Sequence, residues 1–452
     1  MIAPARRAAY DVLHAVSSGD LDLPSAIAGI ATTLHDERDR ALAAEIANGV
    51  QRWRAALDHV IATFAKRPLD RLDREVVEIL RLSAYQLLHL TRVPASAVVD
   101  DGVNLTKRAG KKSAAGFVNA ILRAISRNRR QLGLPARPAS DADRDAVLDY
   151  LSITLSHPRW LAARWLDRYG FEATEAWLRF NNSPAPLTLR VNPVRIPAET
   201  LIRRLDDEDV RVRRGRFAPH ALIVEEGRPL RGEGSEQGWF VVQDEASQLI
   251  AVLAHAQAGM RVLDACASPG GKTTAMAADM NGKGLIVASD VRDRRIQLLR
   301  RTVNATGVSN VVIAQANLLK PLPFARPFDL VVVDAPCSGL GTLRRDPDIR
   351  WRRREDDLPS FAAAELTMLQ HAADMVRVGG RLLYSTCSSE PEENEGVADA
   401  FLATSRNFVS LDARIASPNL PADVIDDRGR LRTEPHRHGL EAFFGAVFQR
   451  AG

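Results

Sequence analysis

MRVLDACASPGGKTTAMAADMNGKGLIVASD, residues 260–290, reads as a strand, a glycine turn, a helix and a second strand. Residues 260–265 and 284–289 are continuous apolar runs, and residues 273–280 carry apolar side chains at helical spacing. Strands that are apolar on both faces and separated by helices belong to a parallel sheet covered on both sides. The alternation continues with a helix over 292–305, strands over 310–314 and 328–334, a helix over 356–376, a strand over 381–384, a helix over 392–403 and a strand over 443–448. Sheets of this kind bind ligands beyond the carboxyl ends of their strands. Chemistry is therefore expected in the residues that follow each strand.

The first strand runs into Asp264-Ala-Cys-Ala-Ser-Pro-Gly-Gly-Lys272. Pro269, Gly270 and Gly271 permit a tight turn before a helix N-terminus, which favours a carboxylate or phosphate. Taken alone, such a turn also serves plain loop closure. The second strand ends at Asp290, about 20 residues on, where an acid binds ribose hydroxyls or caps the next helix. Loop and acid together describe a pocket for an adenosine-containing cofactor. Gly271-Lys272-Thr273 and the LVVVD run ending at Asp334 imitate a nucleotide triphosphatase. That loop, however, requires glycine where Cys266 stands, and Pro269 removes one backbone N–H.

Two further strands end in Asp334-Ala-Pro-Cys337 and Tyr384-Ser-Thr-Cys387. Cysteine is often only a small buried hydrophobe, but then the three cysteines, Cys266, Cys337 and Cys387, would scatter through every core. All three lie at strand ends of one domain. A thiol, a carboxylate and a methyl donor suit carbon 5 of cytosine. That carbon is a poor nucleophile until a thiolate adds at carbon 6. A nearby acid would hold N3 and the 4-amino group, and a second cysteine would assist release.

The chain has 452 residues, 46% of them apolar, enough for about three domains. No apolar run approaches the ~18 residues of a membrane helix. Arg6, Arg7, Asp11 and His14 stand near the N-terminus with no apolar segment after the basic pair, so no signal peptide is expected. Three sparse cysteines form no disulfide framework and suit a reducing cytoplasm. Without CxxC or HxxxH pairs, no metal is expected. Residues 1–135 carry 20 Lys and Arg against 14 Asp and Glu, whereas the remainder is nearly balanced. That first segment reads as helices over 5–16, 41–64, 71–89 and 95–109, with Pro24, Pro68 and Pro94 between them. Residues 107–130 hold eight Lys and Arg and no acid, either a solvated face or a nucleic-acid face. Residues 131–144 read as a linker. Helices over 159–169, 173–180 and 198–206, with strands over 187–191, 210–212 and 221–224, make a small α+β unit.

DACASPGGKTT (264–274), DAPCSGLGTLRRDPDIRW (334–351) and YSTCSSEPEEN (384–394) resemble the cofactor, PC and TC motifs of the RNA cytosine-5 methyltransferase family. WFVVQDEASQL (239–249) and PLTLRVNP (186–193) match as well. Over essentially the whole chain the resemblance is closer to the bacterial small-subunit (16S) rRNA methyltransferase B (Sun) group, whose N-terminal bundle is similar to the NusB antitermination factor. The resemblance implies three domains. Residues 1–135 are a NusB-like all-α RNA-binding bundle, and 145–235 are a small α+β, RRM-like domain. Residues 236–452 are a Rossmann-like α/β methyltransferase with a mostly parallel sheet. It implies that Cys387 is the nucleophile, that Cys337 assists product release and that Asp334 contacts the base and the methyl end of the cofactor. Cys266, Ala267, Ser268, Pro269, Gly270, Gly271, Lys272 and Asp290 would bind S-adenosylmethionine. The family usually places an Asp after the third strand to accept the adenine amino group. Here Asn317 stands in that place, with a carbonyl oxygen that can accept.

The expected partner is cytoplasmic 16S rRNA, with no membrane, and the chain is taken as a monomer. RNA is expected across a basic lip of Arg344, Arg345, Arg350, Arg352, Arg353 and Arg354 around Trp351, either a stacking and backbone surface or a solvated loop. Two alternatives remain open here: a tRNA cytosine-5 methyltransferase, and a non-catalytic RNA-binding or antitermination module.

Overall fold

The computed structural model describes residues 2–139 and 143–452. Residues 140–142 of the expected linker lie outside the described residues. The chain forms two compact units: Met1–Pro184 with Leu343–Glu355, and Ala185–Thr342 with Asp356–Gly452.

The first unit is helical, with helices Pro4–Ser17, Leu23–Thr33, Glu37–Arg52, Arg54–Ala65, Arg74–His89, Ala95–Arg108 and Ala115–Arg127 around a core that includes Leu13, Ile46, Ile61, Leu80, Leu105 and Leu122. Leu23–Thr33 carries Pro24 in its first turn. Asp22 caps it by accepting from Ser25 N at 2.8 Å, and proline in a first turn gives up only an N–H that has no helical partner. The segment expected as one helix over 41–64 is two, broken at Trp53, whose ring stacks on His89 with centroids 5.0 Å apart. Helices Arg144–Asp149, Arg159–Tyr169 and Phe171–Asn182 complete the unit.

Leu343–Glu355 packs into these helices, which corrects the expected RNA lip at Arg350 and Trp351, while Arg352 and Arg354 stay exposed. Arg350 is fully buried. Its Nη1 donates to Ser156 O at 2.9 Å and Asn182 Oδ1 at 3.0 Å, and its Nη2 to Leu343 O at 3.2 Å. Trp351 Nε1 donates to Gln51 O at 2.6 Å, and Arg344 Nη2 to Pro184 O at 2.5 Å. Arg352 pairs with Asp348 at 3.0 Å. Burial, then Arg52, pushes the Arg350 guanidinium down to about 9. Counting charges along the chain does not reveal which cations face carbonyl oxygens instead of solvent. Arg350→Ala strands several buried carbonyls and is expected to destabilise this unit by about 3 kcal/mol. A urea melt of the full chain checks this as a shift of the transition belonging to the helices.

The second unit carries two sheets. In the small one, β1 (Thr188–Val191), β2 (Arg211–Arg214), β3 (Ala221–Glu226) and β4 (Phe240–Val242) run antiparallel in the order β2-β3-β1-β4. Helix Ala198–Asp207 packs Leu201 and Leu205 into the core of that sheet. β4 lies beyond the boundary of 235 expected from the sequence, because its register against β1 (Arg190 opposite Val241) adds it to this sheet.

The large sheet contains β5 (Arg261–Asp264), β6 (Leu285–Asp290), β7 (Val311–Gln315), β8 (Phe328–Asp334), β9 (Val376–Thr386), β10 (Phe408–Leu411), β11 (Leu431–Thr433) and β12 (Phe443–Arg450). Its order is β10-β12-β9-β8-β5-β6-β7, with β11 on β12. β7, β6, β5, β8 and β9 are parallel, and β12 runs antiparallel to β9. Alternate strand residues feed two cores, Val262, Leu330, Val332 and Leu383 on one face and Leu263, Val331, Val333 and Leu382 on the other. This is the doubly covered, mostly parallel Rossmann-like sheet expected from the apolar runs. β9 starts at Val376, inside the segment expected to be helical, and passes through Gly379 with φ +73°.

Candidate active site

The sheet changes direction at β5, with β6 and β7 on one side and β8 and β9 on the other. The carboxyl ends of β5 and β8 therefore flank a switch-point crevice, and they carry Asp264 and Asp334. The loop after β5 is fastened to the end of β6. Ala267 N donates to Ser289 O at 2.8 Å and Ser268 N to Asp290 Oδ2 at 3.3 Å. Gly270 turns the chain at φ +106°, and a Cβ there would lie 2.9 Å from Leu299 Cδ1. Helix Gly271–Asp279 begins immediately after it.

Cys266, Ala267, Ser268, Pro269, Gly271, Lys272 and Asp334 line one cavity of about 170 Å³ with Asp264 and Gln243. Gln243 Oε1, Asp264 Oδ1 and Ser268 Oγ are buried around it and have no hydrogen-bond partner among the described residues. Buried acceptors of this kind call for donors, which the ammonium and hydroxyl groups of S-adenosylmethionine supply. Burial pushes the Asp264 carboxyl up to about 7, while the hydrogen bond from Thr273 Oγ1, 2.7 Å away, opposes the shift. A bound cation restores its charged form. Burial also pushes the Cys266 thiol up, which makes it an inert wall of the cavity. Cavities of about 960 Å³ beside Asp101 and about 750 Å³ beside Arg190 are larger, but neither thiol pair nor glycine loop lines them.

Asp290 and Asn317 do not line the cavity. The Asp290 carboxylate accepts from Ser268 N and, at 2.8 Å, from Val291 N, so it braces the loop. Asn317 Oδ1 accepts from Leu319 N at 3.0 Å and closes its own turn.

β8 and β9 end side by side, with Asp334 opposite Ser385. Cys337 follows one strand and Cys387 the other, and this register brings their Sγ atoms to 3.3 Å. Asp334 lines the cavity and ends the strand that leads to Cys337. Its Oδ2 accepts from Lys272 Nζ at 2.6 Å and its Oδ1 from Ser385 Oγ at 2.9 Å. Burial alone would lower the Lys272 ammonium, but the charge of Asp334 and the hydrogen bond to it prevail and raise it. The Cys337 thiol is pushed well up, first by its hydrogen bond to Cys387 and then by burial. The sequence reading missed that Lys272 is fastened to Asp334, that Gln243 and Asp264 supply free acceptors, and that Glu393 lies under both thiol loops. Position three after Pro269 or six after Cys387 carries no signal by itself, and only the strand order makes these residues neighbours.

A glycine loop at the switch point of a parallel sheet, with open acceptors above it and thiols beside it, defines a Rossmann-like methyltransferase that uses S-adenosylmethionine. The family described as 16S rRNA methyltransferase RsmB/F matches residues 251–449. The NusB family matches residues 3–127, and the RsmF/B-like ferredoxin-like domain residues 157–231. The chain belongs to the ribosomal RNA small subunit methyltransferase B family. It is 32% identical to the probable ribosomal RNA small subunit methyltransferase B of Bacillus subtilis, over 92% of each chain. It is 34% identical to the ribosomal RNA small subunit methyltransferase B of Pseudomonas putida, over 90% of this chain and 91% of that one. The solved structure of PH0851 is similar, with a TM-score of 0.81 and 25% identity, over 100% of this chain and 99% of that one.

Proposed function

We propose that the chain methylates carbon 5 of one cytosine in 16S rRNA through a transient bond between Cys387 and carbon 6 of that base. The observation that carries the reading is the pair of thiols 3.3 Å apart, at the ends of adjacent strands, beside an Asp334 held by Lys272 and Ser385. S-adenosylmethionine, when bound, supplies an electrophilic methyl group.

Cys387 Sγ adds to carbon 6, and the electron density released makes carbon 5 nucleophilic. Asp334, with both oxygens already oriented, has spare lone pairs for the 4-amino N–H of the base and for the N3–H that forms when the thiol proton ends on N3 as sulfur adds. After methyl transfer water takes the carbon-5 proton, its electron pair re-forms the C5–C6 double bond, and the sulfur–carbon bond breaks with its pair leaving on the Cys387 sulfur. Cys337, whose thiol is pushed well up, lies 3.3 Å from the departing Cys387 sulfur and can donate its S–H to it. The base must leave its stack to reach Cys387, so unpaired RNA is the substrate form. Residues 1–135 and 145–235 position the RNA and residues 236–452 do the chemistry, with Cys266 to Lys272, Asp290 and Asn317 serving the cofactor side. Among the described residues no helix is long and apolar enough to cross a membrane; the reading places the enzyme in the cytoplasm.

Bisulfite sequencing of rRNA and tRNA from a deletion strain tests the substrate. One 16S cytosine is expected to lose its protection completely and to regain it on complementation. Loss confined to a tRNA position would overturn the rRNA assignment, and no loss anywhere would favour a non-catalytic RNA-binding role.

A further inference from the structure

Each active-site cysteine is followed by a serine, Ser338 after Cys337 and Ser388 after Cys387. Both serines are buried and both face one carboxylate, that of Glu393, which is itself fully buried. Glu393 Oε1 accepts from Ser338 N at 2.5 Å, and Oε2 accepts from Ser338 Oγ at 2.6 Å and from Ser388 Oγ. The two hydroxyls also lie 3.2 Å apart. Glu393 is anchored from below. Tyr384 Oη lies 2.5 Å from the Glu393 carbonyl oxygen and 2.9 Å from Glu365 Oε2. The Tyr384 hydroxyl is the donor toward both oxygens. Burial first, then the charge of Glu393, pushes Glu365 up to about 9. A second tie is made by the backbone, where Gly341 N donates to Cys387 O at 2.9 Å.

Hydrogen bonds to an ionised carboxylate are roughly twice as strong as neutral ones. A buried carboxylate with three donors is therefore a firm bracket between two loops that no main-chain ladder joins beyond Asp334 and Ser385. We propose that Glu393 is the positioning residue that holds the Cys337 and Cys387 thiols in register. Its consequence for turnover rests on the two-thiol mechanism above; its geometric consequence does not.

The test therefore has two arms. In the first, the RNA-free protein is treated with diamide, which takes up two thiol hydrogens as the Cys337–Cys387 disulfide forms. Peptide mass mapping separates this bond from any product of Cys266. Thiols held close react as if highly concentrated, and Glu393→Gln is expected to slow the bond about tenfold by losing a charge-assisted contact. Ser388→Ala, which cuts one arm of the bracket and leaves the carboxylate in place, is expected to slow it less. In the second arm, each variant is incubated with 16S rRNA and S-adenosylmethionine and run on a denaturing gel. Glu393→Gln is expected to accumulate covalent protein–RNA complex, as Cys337→Ala does, with S-adenosylmethionine affinity unchanged. A merely structural residue would lower the melting temperature and cofactor affinity without trapping RNA.

An unchanged disulfide rate in both Glu393→Gln and Ser388→Ala overturns the proposal. So does a trapped complex in Cys337→Ala with none in Glu393→Gln. No trapped complex in Cys337→Ala indicts the two-thiol mechanism instead, and the diamide arm then decides the role of Glu393 alone. Should Glu393→Gln fail to fold, Ser388→Ala and Ser338→Ala carry both arms.

Discussion

Cys387→Ala is expected to abolish methyl transfer, with a loss on the order of 10⁴-fold or more for removal of a covalent nucleophile. S-adenosylmethionine binding is expected to survive, because Cys387 does not line the cavity of Cys266, Ser268 and Asp334. The two cysteines are not equivalent in the fold. The contact with Cys387 and burial push the Cys337 thiol well up. Either sulfur can donate across the 3.3 Å between them, the raised Lys272 ammonium responds to Cys387 as well as to Asp334, and the choice of Cys387 as nucleophile rests on the family resemblance. Incorporation of labelled methyl groups into 16S rRNA measures the first expectation, and equilibrium dialysis with the labelled donor measures the second. Full turnover by this variant would remove the nucleophile from the mechanism.

The loop that this prediction leaves intact was also the part most readable from the chain. The run from Met260 to Asp290 is local: apolar strand, Pro269-Gly270-Gly271 turn and helix follow one another within one βαβ unit, so spacing alone describes them. The strand order is not local. That β8 lies beside β5, and β9 beside β8, depends on crossovers of tens of residues, and it alone brings Asp334 to Lys272 and Cys337 to Cys387. Resemblance to a family supplied the joint roles of Cys337 and Cys387 before the geometry did, but not the contact of Asp334 with Lys272.

Charge was the poorest guide. Arg350 and Trp351 look like an RNA-facing pair in sequence, yet one donates to buried carbonyls and the other to Gln51 O. The acids after Cys387 show the same difficulty. Glu390, Glu392, Glu393 and Glu395 are alike in sequence, and the phase of the turn Glu392–Gly396 decides that Glu393 points inward beneath the thiols. Short edge strands escaped for a related reason. β10 and β11 are four and three residues long, too short for a period to show, and each is held chiefly by its pairing with β12.

Cys337→Ala is expected to halt the reaction after bond formation, so that the protein stays attached to its RNA. In the proposed mechanism addition needs the Cys387 sulfur, the base and Asp334, all of which this variant retains, although it removes the 3.3 Å contact to that sulfur. Departure needs the negative charge building on the Cys387 sulfur to be met by a proton donor. The only thiol placed for this among the described residues is Cys337, 3.3 Å away and held protonated. Its removal leaves water to do the work in a pocket that Glu393, Ser338 and Ser388 keep closely packed. A general acid contributes on the order of 10²–10⁴-fold, so release should slow by that factor while addition does not. The adduct then becomes the main species and migrates as a slow, protease-sensitive band on a denaturing gel. Cys337→Ala,Cys387→Ala should show no such band, because the bond cannot form. A band that persisted in the double variant would mean that some other residue attacks the base.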